Sequence, residues 1–483
     1  MKISLFLKIF NSLFFPLFFL LIGLLIFCYP MILNPDNMPG EMVDSRFVNY
    51  ILEHYYLFLK QAPTHSSFWT LPMFYPMKDT LALSETLLGI SPIYILIRFF
   101  KDPQTSLQIV FVILNILNFI TFYIFSRKIF KLNSFYSSFA SFFFAFCLPR
   151  YIHVYHIQMF VQFYMILSVF FLCLIKKENS PNKNKLYFFL SLFFFVIQAY
   201  SCFYFAWFMG FSLPFLMGAF LLSKDLKTKF INLCKCFDKS YFLILLLNIL
   251  FLMPLAIKYL SVGEHFKKYD SLEPISFFVS QSFLDNLFID LSNYAYNEIS
   301  LGIGFITSLI VLIALLKSKY KYPIIFFLLS LTLCFTHDKI NQFLYDYFYP
   351  FRTIRAYGRY IFILVPIFAI LISNFLQKQK KVWLSILIIF LIVLEYIPYS
   401  SNFTWTKTQH KELIKSLNFD ETCKIVGMKI PDISQYGVYF NYDMNVMWWA
   451  LEHRAYSLNG YSAFYYDILE NYADKKCILQ LKE

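Results

Sequence analysis

Long apolar runs decide what this chain can fold into. Three of the longest cover residues 186–222, 241–255 and 361–376. A helix needs about 20 apolar residues to cross the hydrocarbon core of a bilayer. Charged residues make up 15% of the chain, whereas a typical soluble domain has about 25%. The sequence therefore predicts an all-α polytopic membrane protein.

Reading each apolar run of about 16–25 residues as one span predicts eleven membrane-crossing helices. They cover residues 9–33, 104–126, 134–149, 157–175, 186–203, 204–222, 241–260, 299–316, 322–336, 360–376 and 382–399. The continuous run 186–222 holds two of them, so we predict a turn near residues 200–203. Residues 84–100 contain an acid, a Gly and a Pro, and we interpret them as a helix that lies in the membrane interface.

The charge distribution predicts the orientation. With the N-terminus inside, the inner segments hold 20 basic and 3 acidic residues, a net charge of +17, and the rest of the chain carries −4. The positive-inside rule expects this asymmetry of cytoplasmic loops, so the overall charge of +13 does not indicate nucleic-acid binding. We therefore expect a multi-pass protein of the cell's inner (cytoplasmic) membrane, with its C-terminus and its unusual polar segments outside the cytoplasm.

The first outer segment, residues 34–103, carries titratable and charged side chains soon after the first span. They are Glu41, Asp44, Arg46, Glu53 and His54. The packing of helices in a membrane does not require acidic residues at this density. Apolar residues between 44 and 59 recur at helical spacing and predict an amphipathic helix along the membrane surface. These residue types suit a reaction on a lipid-borne substrate, while a solvated loop is the alternative.

Asp44 is the predicted catalytic base, and Glu41 is expected to assist it through a hydrogen bond or a shared divalent metal ion. A partly desolvated carboxylate can take a proton from a substrate hydroxyl if its pKa is raised. The structural alternative for Asp44 is the N-cap of the helix. We expect Arg46 to bind a phosphate. Glu53 and His54, more than two helical turns further on, are expected either to hold the site residues in place or to bind the acceptor.

A second outer cluster joins the end of one span to the start of the next. Arg150, His153 and His156 recur every three residues, and Gln158 follows. Two histidines at this spacing can bind zinc, but no third ligand is adjacent. Hydrogen bonding to a substrate phosphate or sugar is the favoured interpretation, and interfacial residues without function are the alternative.

A third outer cluster places Arg352, Arg355 and Arg359 on one helical stripe that ends where a span begins. Arginine is suited to bidentate recognition of phosphate, and basic residues at an outer span end are the exception. The stripe predicts a site for an anionic lipid headgroup or a pyrophosphate.

An acidic outer loop after the first span, interfacial helices, many spans and a polar C-terminal tail together resemble the GT-C superfamily of membrane glycosyltransferases. The family's acidic pair matches Glu41 and Asp44, spaced E-x-x-D rather than the commoner D-x-D. Residues 74–92 look like its second interfacial helix, and its late phosphate-binding Arg matches Arg355 or Arg359. The resemblance implies a polyprenyl-phosphate-linked sugar as donor and a lipid, glycan or protein as acceptor.

The tail, residues 401–483, is predicted to form a small α/β extracytoplasmic domain beside a GT-C-like transmembrane domain, residues 1–400. Its Cys423 and Cys477 are candidates for a disulfide in an oxidising compartment. Trp448 and Trp449 either stack on sugar rings or belong to an interfacial belt.

Two other function classes compete with a transferase. A transporter or flippase would place charged residues or broken helices in mid-span, and such residues are nearly absent, with Glu395 as the main exception. A non-catalytic membrane subunit of envelope glycan assembly is the other alternative. The sugar, the acceptor, the need for a metal and the oligomeric state stay open.

Overall fold

The computed structural model describes residues 2–263, 301–354, 356–398, 401–429, 436–461 and 477–480, together with 272, 277, 280, 282, 284 and 285. In this part of the chain the fold is mostly helical. The helices of the first half are α1 (Lys2–Leu33), α2 (Asp44–Leu59), α3 (Ser91–Arg98), α4 (Pro103–Ile129), α5 (Ser134–Ala145), α6 (Leu148–Ile152), α7 (Phe163–Cys173), α8 (Pro181–Ser201), α9 (Phe203–Leu221), α10 (Lys224–Cys234) and α11 (Lys239–Gly263). Those of the second half are α12 (Phe305–Leu316), α13 (Lys321–Thr336), α14 (Asp338–Tyr347), α15 (Ile361–Gln377), α16 (Val382–Glu395), α17 (Lys407–Lys415) and α18 (Tyr436–Glu452).

Five helical segments of the described chain are long and apolar enough to cross a membrane. They are Leu13–Leu33, Pro103–Ile129, Phe203–Leu221, Lys239–Ser261 and Tyr357–Gln377. If α13 and α14, which are bent by 78° relative to each other, count together as one span, the described chain has six such segments. Each of the eleven predicted spans contains a helix, but several of these are short, such as the 12-residue α5, so the predicted number of eleven is not confirmed.

Two local predictions about the spans are confirmed. The run 186–222 breaks at Cys202, between α8 and α9, where the backbone is extended (φ −147°, ψ 101°). In the segment 84–100 the helix α3 has eight residues. At about 1.5 Å per residue it is far shorter than the roughly 30 Å of a hydrocarbon core, so this segment does not span.

The polar segments predicted to lie outside meet at one end of the helical bundle, which we call the polar end. Side chains and backbone from distant parts of the chain join there. The hydrogen bonds run from Gln108 Nε2 to Asn37 O (2.7 Å), from Asn402 Nδ2 to Tyr151 O (2.9 Å) and from Leu88 N to Tyr200 O (2.9 Å).

The basic loops meet at the opposite end, which we call the basic end. Its links are Asn133 N to Gln377 Oε1 (2.7 Å), Lys185 to Asp238 (3.4 Å) and Lys319 to Asp225 (3.2 Å). The structure thus separates the two groups of segments as the charge distribution predicts. Which end faces the cytoplasm stays a prediction.

The C-terminal unit, residues 401–429, 436–461 and 477–480, is a small α/β structure packed on the polar end. Its strands β3 (Ile425–Lys429), β4 (Tyr456–Ser457) and β5 (Ile478–Gln480) form a parallel sheet in the order β4-β3-β5. A second, antiparallel pair joins β1 (Asn37–Met38) to β2 (Trp405–Thr406), which ties the first outer segment to the unit. The disulfide between Cys423 and Cys477 is present, as the sequence suggested.

Trp448 and Trp449 fit neither prediction made for them. Their exposed fractions are 1% and 3%. Trp448 packs edge-on against His410, and Trp449 stacks on His453. Both indoles therefore belong to the core of the C-terminal unit, where neither a sugar nor a lipid headgroup reaches them.

Glu395, the mid-span exception, caps a neighbouring helix. Its carboxylate accepts hydrogen bonds from the backbone N–H groups of Ile306 (2.6 Å) and Thr307 (2.9 Å) and from the Thr307 hydroxyl (2.6 Å). A carboxylate at the N-terminus of a helix is stabilised by the free N–H groups and the helix dipole. Glu395 therefore has a structural role in holding α16 against α12.

Candidate functional site

Asp44 is the first residue of α2 and the centre of the candidate site. Tyr461 donates its hydroxyl hydrogen to Asp44 Oδ1, and His156 Nδ1 lies 3.4 Å from Asp44 Oδ2. The helix begins after Val43, and no side chain caps it. The N-cap alternative for Asp44 is therefore wrong, and its carboxylate is directed to groups from two distant segments instead.

Glu41 lies beside Asp44, as the sequence predicts, and the negative charge of this neighbour acts on it. Burial and the negative charge of Asp44 raise the pKa of Glu41 to about 7, against the opposing influence of His156 and of the Asp44 backbone N–H. A carboxyl group with a pKa near neutrality is suited to exchanging protons at working pH.

His156 reaches the site because the chain turns tightly after α6. Its backbone N–H donates to His153 O (2.9 Å), and its own carbonyl accepts from Met159 N (2.8 Å). His153 itself is buried, with Nδ1 at 2.8 Å from Pro149 O. Of the two predicted histidines, the structure places His156 against the Asp44 carboxylate.

Glu85 and Arg359 complete the arrangement. Glu85 Oε1 accepts from Tyr204 N (3.5 Å), and its Oε2 is buried without a hydrogen-bond partner. Burial raises the pKa of Glu85, while the guanidinium of Arg359 and the charge of His156 act in the opposite direction. Arg359 is 7% exposed, and its guanidinium carbon lies 4.4 Å from the centre of the Tyr204 ring.

Glu85 was not among the predicted site residues. An acid in an apolar interfacial segment carries a cost that usually indicates function or a specific partner, and this was the available signal in the sequence. Tyr461 offered no such signal, since tyrosine is abundant in this chain, with 36 copies. We call Asp44 and the five other residues of this arrangement the Asp44 cluster: Glu41, Asp44, Glu85, His156, Arg359 and Tyr461.

Arg150 does not join the Asp44 cluster, so its predicted role as a substrate ligand is wrong. Its side chain is fully buried, donating to Met159 O (3.0 Å) and to Gln162 Oε1 (2.5 Å). The guanidinium also lies over the rings of Phe144 and Phe160, at 5.3 and 5.5 Å. These contacts use the guanidinium to hold the turn after α6 against the bundle.

Arg46 is likewise a structural residue rather than a phosphate ligand. It is fully buried and donates to His410 Nδ1 (3.0 Å) and Asn445 Oδ1 (2.8 Å) in the C-terminal unit. Burial lowers the pKa of Arg46 to about 9. Its function is to fix α2 to α17 and α18.

Glu53 is held by two side chains of α3. It pairs with Arg98 (2.8 Å) and accepts a hydrogen bond from the Tyr94 hydroxyl (2.7 Å). Because both partners come from α3, the pair fastens that short helix to α2. A role for Glu53 in binding the acceptor is not supported by this geometry.

His54 is also buried, with its Nδ1 at 2.8 Å from His65 Nδ1 and its Nε2 at 3.2 Å from Phe68 O. Burial lowers the pKa of His54 to about 4. As for Glu53, a role for His54 in binding the acceptor is not supported by this geometry.

The remaining predicted residues have different outcomes. Arg352 donates to the carbonyls of Tyr345 (2.8 Å) and Asp346 (3.0 Å), which occupies its guanidinium at the end of α14. Arg355 lies outside the described residues. Gln158 has its side-chain oxygen buried without a hydrogen-bond partner, and its role as a substrate ligand stays a prediction.

The described residues contain no group of three or more His, Cys, Asp or Glu side chains that could hold a metal ion. The divalent metal considered for Glu41 and Asp44 therefore lacks a third protein ligand of these types in this part of the chain. No step below is assigned to a metal.

Comparison with known proteins finds similarity at the level of structure. No protein-family model matches the chain, and no curated protein matches it. Among solved structures, the chain is similar to an Archaeoglobus fulgidus oligosaccharyltransferase in complex with Zn and sulfate, with a TM-score of 0.49 and 12% sequence identity. The match covers 93% of this chain and 62% of that one, so the chain spans less than two thirds of that protein.

Proposed function

We propose that this protein is an integral-membrane glycosyltransferase that moves a sugar from a polyprenyl-phosphate-linked donor to a lipid, glycan or protein acceptor. The observation that carries the proposal is the Asp44 cluster, in which two neighbouring carboxyl groups, a histidine and a guanidinium lie together at the polar end of the bundle. In this proposal the polar end faces outside the cytoplasmic membrane, where a lipid-borne donor presents its headgroup.

The carboxyl pair supplies the acid–base chemistry. An acceptor hydroxyl attacks the anomeric carbon, a bond forms between the acceptor oxygen and that carbon, and the bond from the carbon to the phosphate oxygen breaks. The hydroxyl proton passes to Asp44, with Glu41 as the adjacent group that can share it. General-base assistance of this kind contributes about 10²–10⁴-fold to a rate.

Arg359 supplies the positive charge for the leaving group. The departing polyprenyl phosphate gains negative charge, and a fixed guanidinium in a site of low dielectric stabilises that charge in the transition state. The ring of Tyr204 under the guanidinium restricts its orientation, and the positive charge of Arg359 opposes the rise in the pKa of the buried Glu85. These contacts support Arg359 as the phosphate ligand, in preference to Arg352.

The test is transfer by the purified protein from a panel of polyprenyl-phosphate sugars, comparing Asp44→Asn with the wild type. We expect Asp44→Asn to lower turnover by about 10²–10⁴-fold while donor binding stays nearly unchanged. Asp79→Asn is the matched control. Asp79 belongs to the same outer segment as Asp44, but it pairs with Lys258 of α11 (2.6 Å). Its left-handed backbone (φ +59°) also suits Asn.

Wild-type turnover in Asp44→Asn would exclude Asp44 as the base and transfer that role to Glu41. Absence of transfer and of binding with every donor of the panel would contradict the proposed function itself.

A further inference from the structure

The C-terminal unit contributes one side chain to the Asp44 cluster. Tyr461 follows β4 and lies on α2, with its ring edge-on to Phe47 at a centroid distance of 5.0 Å. Its hydroxyl donates to Asp44 Oδ1. The other carboxylate oxygen, Oδ2, is the one that faces His156. The two oxygens of Asp44 are thus distinguished by their partners.

The turn that carries Tyr461 is held by backbone hydrogen bonds to the first outer segment. Ser457 N donates to Pro72 O (2.9 Å), and Ser457 O accepts from Tyr75 N (3.0 Å). Two residues further on, Asn459 O accepts from Phe74 N (3.3 Å). The turn therefore lies alongside residues 72–75 as an additional strand would.

Side chains fix the same turn from its other face. Asn459 accepts from Met428 N (2.7 Å) and donates to Met428 O (3.0 Å) and to Asp443 Oδ1 (2.7 Å). At Gly460 the backbone is pressed against Phe74, because a Cβ built there would lie 2.6 Å from the ring. The position of Tyr461 is thus set by β3, α18 and the first outer segment together.

We propose that Tyr461 is a positioning residue, which orients the Asp44 carboxylate for proton transfer and makes the C-terminal unit part of the active site. This inference rests on the proposed function. A donor on Oδ1 fixes the rotation of the carboxyl group, so that Oδ2 keeps its direction toward His156. A general base has to be held in the right geometry, and a misplacement of about 1 Å can cost about 10²-fold in rate.

The groups that face Asp44 come from three parts of the chain. Glu41 precedes it in the same segment, His156 comes from the turn after α6, and Tyr461 comes from the C-terminal unit. Glu85 also interacts with His156. Removal of one hydroxyl leaves the charges of this set unchanged.

The experiment compares Tyr461→Phe with Tyr456→Phe in the full-length protein, with the polyprenyl-phosphate sugar that the wild type uses best. Tyr456 lies in β4, immediately before that turn, and packs on Tyr75 at a centroid distance of 4.7 Å, so it is a matched control. We expect kcat of Tyr461→Phe to fall about 10–100-fold with KM for the donor unchanged. Tyr456→Phe should retain wild-type kcat.

The split between kcat and KM separates positioning from a merely structural role. A misoriented base slows proton transfer without weakening donor binding, so kcat should fall while KM for the donor and the thermal unfolding temperature keep their wild-type values. A fall in activity that comes with a lower thermal unfolding temperature would overturn the inference.

Gly460→Ala provides a second variant, because it retains the hydroxyl while its Cβ meets the Phe74 ring. It should reproduce the loss of kcat by displacing Tyr461. Unchanged kcat in Tyr461→Phe, beside an active wild type and an inactive Asp44→Asn, would overturn the role of Tyr461 and leave the proposed function standing. An inactive wild type with every donor would overturn both.

Discussion

Glu41 shows how strongly the surroundings of a single residue change its chemistry. Its raised pKa of about 7 means that the native state binds more protons at this group than the unfolded chain does between about pH 4.5 and 7. The free energy of unfolding falls with rising pH wherever the native state binds more protons than the unfolded chain. The contribution of Glu41 to the free energy of unfolding is therefore complete below about pH 4.5 and is lost as the pH rises to about 7.

We expect Glu41→Gln to remove this contribution, because the amide does not titrate. The thermal unfolding temperature of the detergent-solubilised variant should fall less between pH 4.5 and 7 than that of the wild type. Glu412→Gln, at an exposed position of α17, is the control and should keep the wild-type slope. Equal slopes for Glu41→Gln and the wild type would refute the raised pKa.

Arg359 carries a prediction about donor recognition. Charge-assisted hydrogen bonds contribute about 1.5–3 kcal/mol each, so Arg359→Ala should weaken donor use by about 10–100-fold or more. Arg359→Lys keeps the charge but loses the planar fork and its stacking on Tyr204. Donor use should therefore weaken less in this variant than in Arg359→Ala.

Steady-state kinetics with varied donor, beside thermal unfolding of each variant, measure this effect. Arg352→Lys is the control, because Arg352 is engaged with the carbonyls of Tyr345 and Asp346. If Arg359→Ala matches the wild type in donor affinity and turnover, the phosphate ligand lies elsewhere.

At the scale of elements, α2 illustrates what helical periodicity does and does not predict. The helix begins at Asp44 and ends at Leu59, as the spacing of its apolar residues indicated. Every residue from Ser45 to Tyr55 is buried, so α2 is not a surface helix with one wet face. Its polar face is covered by α3 on one side and by the C-terminal unit on the other, through Glu53 and Arg46.

The contact between α12 and α16 leads to a stability prediction. Gly304 precedes α12 with a left-handed backbone (φ +97°), and a Cβ there would lie 2.4 Å from the Glu395 carboxyl carbon. Gly304→Ala must therefore strain the backbone and displace the Glu395 cap, at a cost of about 1–3 kcal/mol. We expect a clear fall in the thermal unfolding temperature in detergent.

Gly210→Ala is the matched control for this substitution. Gly210 lies within α9, and nothing approaches its Cβ position within 4 Å. Replacing a helical Gly by Ala typically gains about 0.5–1 kcal/mol, so the control should be neutral or stabilising. A Gly304→Ala variant as stable as Gly210→Ala would contradict the capping role of Glu395.

At the scale of the whole molecule, the separation of polar and basic ends predicts the topology. The predicted inner segments carry a net charge of +17 and the rest of the chain carries −4, so the C-terminus should lie outside the cytoplasm. A reporter that is active only in the cytoplasm should be silent when fused after Leu481. The same reporter fused after Lys131, in a basic loop, should be active. A cytoplasmic signal from the C-terminal fusion would reverse the orientation.

The sequence by itself determined the elements and the end of the bundle on which to look for chemistry. Apolar runs and their charged flanks specify helices locally, which is why the start of α2 and the break at Cys202 could be predicted. Glu41, Asp44, His156 and Arg359 also stood out, because polar groups near a membrane need a reason.

The tertiary structure decided which of these polar groups meet. Arg46 and Arg150 looked like ligands in the sequence, but both are fully buried, Arg46 against the C-terminal unit and Arg150 against Gln162 and the turn after α6. Tyr461 looked ordinary, but the C-terminal unit places it on Asp44. The physical reason is that a buried polar group needs hydrogen-bond partners, and these partners determine its role. Those partners are brought together by packing between segments far apart in the chain, which local periodicity does not encode.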